Sequence, residues 1–174
     1  MDSNEELPMY VSDPILNKDG LTSFTSYSLQ GTKIPEKLTR RYKDFDSLRT
    51  KLVERWPGVY IPNIPPKKAV GNLDDDTIET RMRLLNSFCY KISKISYLFD
   101  SEEVKLFQGN SPDISKALEK LPTLKYAEIF EKYKAAFPDY YEAYDLILGK
   151  GKLKEFQGFL KRTLTNIKVL SFFY

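Results

Sequence analysis

The sequence contains no histidine and only one cysteine, Cys89, among its 174 residues. Without histidine, nucleophilic catalysis by Ser/His/Asp or Cys/His groups and metal binding through imidazole are excluded. A lone cysteine permits neither an intrachain disulfide nor a cysteine-rich zinc site. Cys89 lies in a periodic apolar stretch, so we predict a small core residue rather than a reactive thiol.

Two further features are missing. No glycine-rich phosphate loop stands between a predicted strand and a predicted helix. No apolar run approaches the roughly 20 residues that cross a bilayer, and the acidic residues 1–13 do not resemble a secretory signal. We therefore expect no enzyme activity, no cofactor and no metal. Because 14% of the residues are aromatic, we expect a folded, soluble, cytoplasmic protein rather than a disordered one.

The charge is unevenly distributed, although the net charge of the chain is only +3. Residues 1–110 carry 16 basic and 16 acidic side chains, yet residues 33–68 alone carry ten basic and four acidic ones. Such a local excess on a neutral domain indicates either a site for an anionic ligand or a solvated cationic face. The neutral balance of residues 1–110 argues against nucleic acid as the ligand.

The residues that are present predict an N-terminal sheet. Alternating apolar and polar residues predict a strand from about residue 10, a turn over residues 17–20, and a second strand through residue 29. A second turn over residues 30–35 leads to a short third strand over residues 38–42. We therefore predict an antiparallel meander of three strands, one face of which must be covered.

Helical patterns follow. Asp44 is a candidate cap for a helix whose apolar face carries Phe45, Leu48, Leu52 and Val53. Residues 61–68 contain three prolines and predict an extended polyproline-II segment. Residues 74–77 cap a long helix that runs to about residue 96, with a predicted core stripe of Ile78, Met82, Leu85, Phe88 and Ile92. A shorter helix starts at residue 100 or 101.

Only helical patterns are found beyond Pro112. Apolar residues recur at helical spacing over residues 114–121, 127–137 and 153–167. Tyr140, Tyr141 and Tyr144 are expected to be packing or interface aromatics. We expect the native chain to continue past Tyr174, and we divide the sequence into a domain over residues 1–110 and a helical extension over residues 111–174.

The residues most suited to binding chemistry lie where the third strand meets the first helix. Arg41 beside Tyr42 offers a bidentate donor for phosphate and a flat ring on which a sugar or inositol can lie. Lys67 follows the stiff proline segment, and Arg81 lies one turn into the long helix. Each of these side chains taken alone is more often an ordinary surface charge.

The motifs around these residues resemble those of the phox-homology (PX) domain. Residues 41–45, Arg-Tyr-Lys-Asp-Phe, resemble the central motif of the family. Residues 61–67, Ile-Pro-Asn-Ile-Pro-Pro-Lys, match its proline motif, and its helical motif is matched by Arg81, Leu85 and Phe88. The resemblance covers about residues 8–109. It implies an α+β fold in which a three-stranded antiparallel sheet packs against a helical subdomain with a proline-rich loop.

The resemblance also implies a headgroup site for phosphatidylinositol 3-phosphate. Arg41 would bind the 3-phosphate, and Tyr42 would pack under the inositol ring. Lys67 would meet the 1-phosphate beside the bilayer, and Arg81 would bind the 4- and 5-hydroxyls. Phosphates added at those hydroxyls would clash with Arg81, which would give selectivity by exclusion.

The loop before the long helix is a candidate for membrane insertion. Val70 and Leu73 are apolar enough to enter the interface while Lys68 meets anionic lipid. The alternative is that Val70 and Leu73 pack beneath the loop. One headgroup site and one short loop bind a membrane weakly, so we expect a second contact.

Helices after a PX domain suggest a sorting nexin, in which a BAR-type dimerisation domain often follows. Residues 111–174 are too short for a complete BAR domain, so they are either its beginning or a linker. The leading functional hypothesis is a peripheral module that recruits a trafficking protein to endosomal membranes. The alternative is a protein-interaction scaffold that uses the proline-rich loop and the helical extension and binds little lipid.

Overall fold

A computed structural model describes residues 7–20, 22–67, 74–139 and 156–163. Within these residues three strands come first and all later elements are helices, which confirms the predicted α+β class. The strands are β1 (Tyr10–Asp19), β2 (Thr22–Gln30) and β3 (Leu38–Arg41). The helices are α1 (Tyr42–Arg55), α2 (Asp75–Ser93), α3 (Ser96–Phe99), α4 (Glu102–Phe107), α5 (Ile114–Glu119) and α6 (Tyr126–Ala136). Residues 156–163 are also helical.

The sheet is an antiparallel meander in the order β1-β2-β3, as predicted. The turn predicted over residues 17–20 begins too early, because β1 stays paired as far as Asp19, opposite Thr22. The register shifts between Ser12 and Ile15, and Asp13 within this bulge has a φ of 46°. An extra residue in one strand forces such a backbone, and aspartate tolerates the left-handed region better than most residues.

The core lies where the helices cover one face of this sheet. Tyr27 and Leu29 from β2 are almost fully buried, as are Phe45 and Leu48 from α1 and Phe88 from α2. Helix α2 packs on β1 and is tied to it by Asn86, whose Nδ2 donates to the Val11 carbonyl oxygen at 2.6 Å. Burying each such aliphatic or aromatic side chain stabilises the fold by about 1.5–3 kcal/mol.

Helix α1 begins three residues earlier than predicted, at Tyr42 rather than at Phe45. Asp44 lies in its first turn, and its Oδ2 accepts a hydrogen bond from the Arg41 backbone N–H at 2.8 Å. An acidic side chain that reaches back to the residue before the helix forms half of a capping box. Leu52 is buried as predicted, but Val53 is 47% exposed and does not belong to the apolar face.

Helix α2 begins where the acidic run predicts, since Asp74 caps it by accepting from the Thr77 N–H at 2.8 Å. Its buried face differs from the predicted stripe. Ile78 and Met82 are only half-buried, whereas Arg81 is 8% exposed and lies on the buried face. Cys89 is fully buried, and burial raises the pKa of its thiol strongly, which confirms a core residue.

Arg40 joins the sheet to the C-terminal end of α4. Its side chain is buried, and Nε and Nη2 donate to the Phe107 carbonyl oxygen at 3.1 and 2.9 Å. Nη2 also donates to the Gly109 carbonyl, and the guanidinium lies 5.5 Å from the centre of the Phe107 ring. The last carbonyls of a helix lack partners within the helix, so Arg40 satisfies groups that would otherwise be buried unpaired.

Gly31 lies where the segment before β1 crosses the end of β2. The N–H groups of Thr32 and Lys33 donate to the carbonyls of Leu7 and Pro8 at 3.1 and 3.2 Å, which draws the two segments together. Gly31 has a φ of 150°, and a Cβ atom there would collide with the Pro8 carbonyl group. The position therefore requires glycine for two reasons, backbone conformation and space.

We predict that Gly31→Ala lowers the free energy of unfolding by about 2 kcal/mol or more, because strain and collision add. Urea unfolding followed by far-ultraviolet circular dichroism measures this loss. Gly20→Ala is the matched control, since Gly20 also has a positive φ, 58°, but an added Cβ meets nothing within 4 Å. Equal losses of unfolding free energy in the two variants would contradict a collision between the added Cβ atom and the Pro8 carbonyl group.

The chain divides into two compact units. The first comprises residues 1–53 and 61–122, and the second comprises residues 54–60 and 123–174. In the second unit, Trp56 meets Tyr133 edge to face at 5.7 Å between ring centres, and the Lys132 Nζ lies 4.0 Å from the centre of the Trp56 ring. The Tyr133 hydroxyl donates to the Pro57 carbonyl oxygen at 2.6 Å. Aromatic packing therefore holds α6 to residues 54–60.

Within the described ranges, no helix combines the length and apolar character needed to cross a membrane. Tyr140, Tyr141 and Tyr144 lie outside these ranges, as do both ends of the helix predicted over residues 153–167.

Candidate functional site: a phosphoinositide headgroup site

The candidate site centres on the junction of β3 and α1, where two of the four predicted ligands are consecutive. Arg41 is the last residue of β3 and Tyr42 the first residue of α1. Consecutive Cα atoms lie about 3.8 Å apart, but the two side chains have different neighbours: Arg41 lies near Phe24 and Asp44, and Tyr42 lies near Pro65 and Arg81. Asp44 fixes this junction by accepting the Arg41 N–H, as described above.

The structure brings Tyr42 into contact with the proline segment and with helix α2. The Tyr42 hydroxyl donates to the Pro65 carbonyl oxygen at 2.7 Å. The guanidinium carbon of Arg81 lies 5.0 Å from the centre of the Tyr42 ring, within the range of a cation–π contact. Strand end, loop and helix therefore converge at Tyr42, although these three residues lie up to 39 positions apart in the sequence.

Burial and charge both act on this tyrosine. Burial raises the pKa of Tyr42, and the carboxylate of Asp46 raises it further, against the opposing charges of Arg81 and Arg49. The phenol therefore stays protonated at neutral pH and keeps its hydrogen bond to the loop. Tyr27, beneath the site, behaves likewise, because burial raises its pKa while the charge of Arg81 lowers it.

Arg49 holds the proline segment and was not among the predicted site residues. Its Nε donates to the Pro62 carbonyl oxygen at 3.1 Å, and its Nη2 donates to Asn63 Oδ1 at 3.0 Å. Prolines lack N–H donors, so an extended proline segment offers its carbonyls to outside donors. Arg49 lies two turns along α1 from Tyr42, and helical spacing alone marks it only as one of several basic residues on that helix.

Arg41 faces a different set of neighbours from Arg81. Its guanidinium lies 5.8 Å from the centre of the Phe24 ring, and its Nε lies 3.9 Å from Asp44 Oδ1. The side chain is 44% exposed, so this ion pair is weak and easily exchanged. Arg41 also lines a cleft of about 380 Å³ formed by β2, β3, the start of α1 and residues 111–114.

The remaining predicted site residues lie at or beyond the end of the described proline segment. Lys67 is exposed. It is the last residue that the structure describes before residue 74, at the start of α2. Lys68, Val70 and Leu73 lie outside the described residues, so their insertion into a membrane stays a prediction. No cluster of acidic or cysteine side chains suited to a metal occurs in the part of the chain that the structure describes.

Chemically, this arrangement suits a phosphorylated polyol. Arg41 has an exposed guanidinium that can form paired hydrogen bonds with a phosphate, and Lys67 supplies a less directional positive charge. Arg81 lies on the ring of Tyr42, where its guanidinium adds a second positive charge. Positive charge and an aromatic ring thus lie near a proline segment that Tyr42 and Arg49 hold in place.

Comparison with known protein families agrees with the motifs. Residues 30–111 match the family model of the PX domain. This part of the chain is a PX domain, a class of domain that binds phosphoinositide lipids. The resemblance predicted from residues 41–45, 61–67 and the start of α2 is confirmed.

The curated relatives include sorting nexins. Sorting nexin 1 of Arabidopsis thaliana is 33% identical over 114 residues, which cover 60% of this chain and 28% of that protein. The vacuolar protein sorting-associated protein vps5 of Schizosaccharomyces pombe is 37% identical over 111 residues, which cover 58% of this chain and 19% of that protein. The similarity thus spans less than a third of the length of either relative.

Among solved structures, a designed CISK-PX domain is similar in fold. Its X-ray structure matches with a TM-score of 0.50 and 26% sequence identity, covering 57% of this chain and 95% of that one. The three-stranded sheet with its helices is therefore the fold of a PX domain, as predicted.

Proposed function

We propose that the PX domain of this chain binds phosphatidylinositol 3-phosphate and thereby attaches a trafficking protein to endosomal membranes. The observation that carries the proposal is the convergence of Tyr42, Pro65 and Arg81 at the start of α1, next in sequence to Arg41 with its exposed guanidinium. Membership of the PX class and the similarity to sorting nexins support a phosphoinositide-binding module in trafficking. The proposed role is binding rather than catalysis, and it requires neither a cofactor nor a metal.

In the proposed complex, Arg41 turns from Asp44 to the 3-phosphate. Breaking an exposed pair at 3.9 Å costs at most about 1 kcal/mol, and a bidentate contact with a phosphate returns more. Tyr42 packs against the inositol ring, and Lys67 meets the 1-phosphate at the bilayer. Arg81, held between Tyr42 and Tyr27, donates to the 4- and 5-hydroxyls.

The extension supplies the second membrane contact in this proposal. A single headgroup site binds weakly, so two linked copies gain by avidity. We propose that residues 1–110 form the lipid-binding domain and that residues 111–174 begin a helical region that dimerises, with Lys68, Val70 and Leu73 adding a shallow insertion. The structure assigns α5 to the first compact unit and α6 to the second.

The alternative role as a scaffold that presents Pro62-x-x-Pro65 to a partner is less favoured by the structure. Pro62 and Pro65 are both buried, and their carbonyls accept hydrogen bonds from Arg49 and Tyr42. A polyproline ligand must lay its prolines into an aromatic groove of the partner, which these buried rings are not placed to do.

Vesicle sedimentation tests the proposal. The full chain is mixed with vesicles that carry phosphatidylinositol 3-phosphate or, in parallel, each other singly or multiply phosphorylated phosphoinositide. We expect the bound fraction to be highest with phosphatidylinositol 3-phosphate. Equal binding to all phosphoinositides, rising only with their charge, would contradict a specific site.

Arg81→Lys tests the selectivity. The lysine keeps a positive charge but loses the planar donor fork, so we expect about tenfold weaker binding to phosphatidylinositol 3-phosphate. We also expect the discrimination against bisphosphorylated lipids to shrink, as measured on the same vesicles. A thermal melt identical to that of the wild type shows that the domain remains folded. Unchanged selectivity in Arg81→Lys would contradict the proposed contact between Arg81 and the headgroup.

A further inference from the structure

One short sequence element remains unassigned, the Ser111-Pro112 step between α4 and α5. Ser111 is the only serine or threonine that precedes any of the ten prolines in the chain. Residues 110, 111 and 113 belong to no helix or strand, Asn110 and Pro112 are exposed, and Ser111 is partly exposed. A serine before proline in an irregular, accessible segment is the local chemistry that proline-directed protein kinases recognise.

Ser111 shares its surroundings with the guanidinium that the proposed function needs. Both Ser111 and Arg41 line the cleft of about 380 Å³, together with Ser26, Thr39 and Phe24 among others. A cleft of this volume is much larger than a phosphate group. A phosphate on Ser111 therefore has room in the same cleft that Arg41 lines.

The acidic groups of the cleft are already engaged. Asp44 accepts from the Arg41 N–H and, at 3.2 Å, from the Ser115 hydroxyl. Asp113 accepts from the Lys116 N–H at 3.0 Å, and its carboxylate lies 3.2 Å from the Lys116 Nζ. These donors offset much of the repulsion that the two carboxylates would exert on a phosphate.

Positive charge near the cleft is more available. The ion pair of Arg41 with Asp44 is weak, and the Arg41 side chain is 44% exposed. Hydrogen bonds from Lys116 chiefly lower the pKa of the Asp113 carboxyl, and the nearby charge of Lys43 lowers it slightly further. Arg40 also lines the cleft, but its donors are committed to the carbonyls of Phe107 and Gly109. Arg41 is thus the natural partner of a new anion here.

We propose that Ser111 is a phosphorylation site and that its phosphate captures Arg41, which switches lipid binding off. In the modification, the Ser111 Oγ attacks the γ-phosphorus of ATP in the active site of a proline-directed kinase. The new Oγ–P bond forms as the bond to ADP breaks, and the hydroxyl proton passes to the catalytic aspartate of the kinase. The product carries a charge of about −1.5 to −2 at neutral pH.

The switch rests on the proposed function, because it acts by competition for the same guanidinium. A phosphate attached to the chain is present at a high effective concentration, whereas a lipid phosphate must be found in the membrane. At ordinary lipid densities, the phosphate on Ser111 therefore outcompetes the lipid phosphate for Arg41.

The test uses the full chain with phosphoserine incorporated at position 111 during translation. On vesicles with phosphatidylinositol 3-phosphate we expect at least tenfold weaker binding than for the unmodified chain. The matched control carries phosphoserine at Ser96, an exposed residue outside the cleft, and keeps wild-type binding. Undiminished binding by the Ser111 phosphoprotein would overturn the switch.

A second readout does not depend on lipid. The second pKa of the phosphoserine, followed by phosphorus NMR, should lie lower at position 111 than at position 96, and Arg41→Ala should restore the ordinary value. Equal pKa values at both positions would overturn the capture of Arg41, even if vesicle binding fell because α5 had detached. If the unmodified chain fails to bind vesicles, the proposed function is wrong. The phosphorus NMR measurement then still shows whether the phosphate on Ser111 contacts Arg41.

The modification itself is tested with a proline-directed kinase and ATP on the folded chain. Mass spectrometry should find one phosphate, located at Ser111, and none in Ser111→Ala. A folded chain that stays unmodified while its proteolytic peptides are phosphorylated would overturn the site.

Discussion

Arg41→Ala should reduce binding to vesicles that contain phosphatidylinositol 3-phosphate by about a hundredfold, close to the limit of detection. A bidentate, charge-assisted contact between an arginine and a phosphate contributes roughly 1.5–3 kcal/mol, and its loss leaves the phosphate without its main partner. Sedimentation of the protein with vesicles of graded lipid content measures this loss.

The same substitution should leave the fold intact. The Arg41 guanidinium makes an exposed pair at 3.9 Å and a ring contact with Phe24, both of them weak, so the free energy of unfolding should change by less than about 1 kcal/mol. Lys43→Ala is the matched control, because it removes one positive charge two residues away on an exposed position. If both variants lose binding equally, general attraction to the membrane explains the result and the assignment of Arg41 is wrong.

Arg40→Ala, in contrast to Arg41→Ala, should cause a large loss of stability. The substitution deletes the buried donors of the Phe107 and Gly109 carbonyls and leaves both groups without their charged partner. We expect the free energy of unfolding to fall by about 3 kcal/mol, since hydrogen bonds from charged groups to buried acceptors contribute roughly 1.5–3 kcal/mol each. Urea unfolding followed by circular dichroism measures the change.

Arg40→Lys provides the control for this prediction. Lysine keeps the charge but cannot reach two carbonyls with a planar fork. The loss of unfolding free energy in Arg40→Lys should therefore lie between zero and that of Arg40→Ala. A loss below about 1 kcal/mol for Arg40→Ala would contradict the role assigned to Arg40 at the end of α4. Two consecutive arginines thus have separable roles, one in stability and the other in binding.

The contiguous motifs of the sequence were sufficient to predict the PX class and the order of strands and helices. Arg41-Tyr42 and the proline segment were located because local sequence determines them. The cap at Asp74 was predicted because an acidic residue at a helix start has one favoured geometry. The proposed headgroup contacts of Arg41, Tyr42, Lys67 and Arg81 remain predictions.

What the sequence did not predict depends on contacts between distant segments. Helical periodicity treats a charged residue as solvent-facing, and therefore gave no indication that Arg81 would be buried between two tyrosines. Val53 continues the spacing of the predicted apolar face but is 47% exposed, and the next buried residues after Leu52 are Arg55 and Trp56. Arg49 was missed because its partners, Pro62 and Asn63, lie on a different segment of the chain.

Titration of the full chain with a soluble short-chain phosphatidylinositol 3-phosphate, followed by NMR, tests the central claim most directly. Without a bilayer, only the headgroup site responds. We predict saturation at one molecule per chain, with the largest shifts at Arg41, Tyr42, Lys67 and Arg81, and no saturable response in Arg41→Ala. Shifts spread over exposed lysines without saturation, or an unchanged response in Arg41→Ala, would contradict the account.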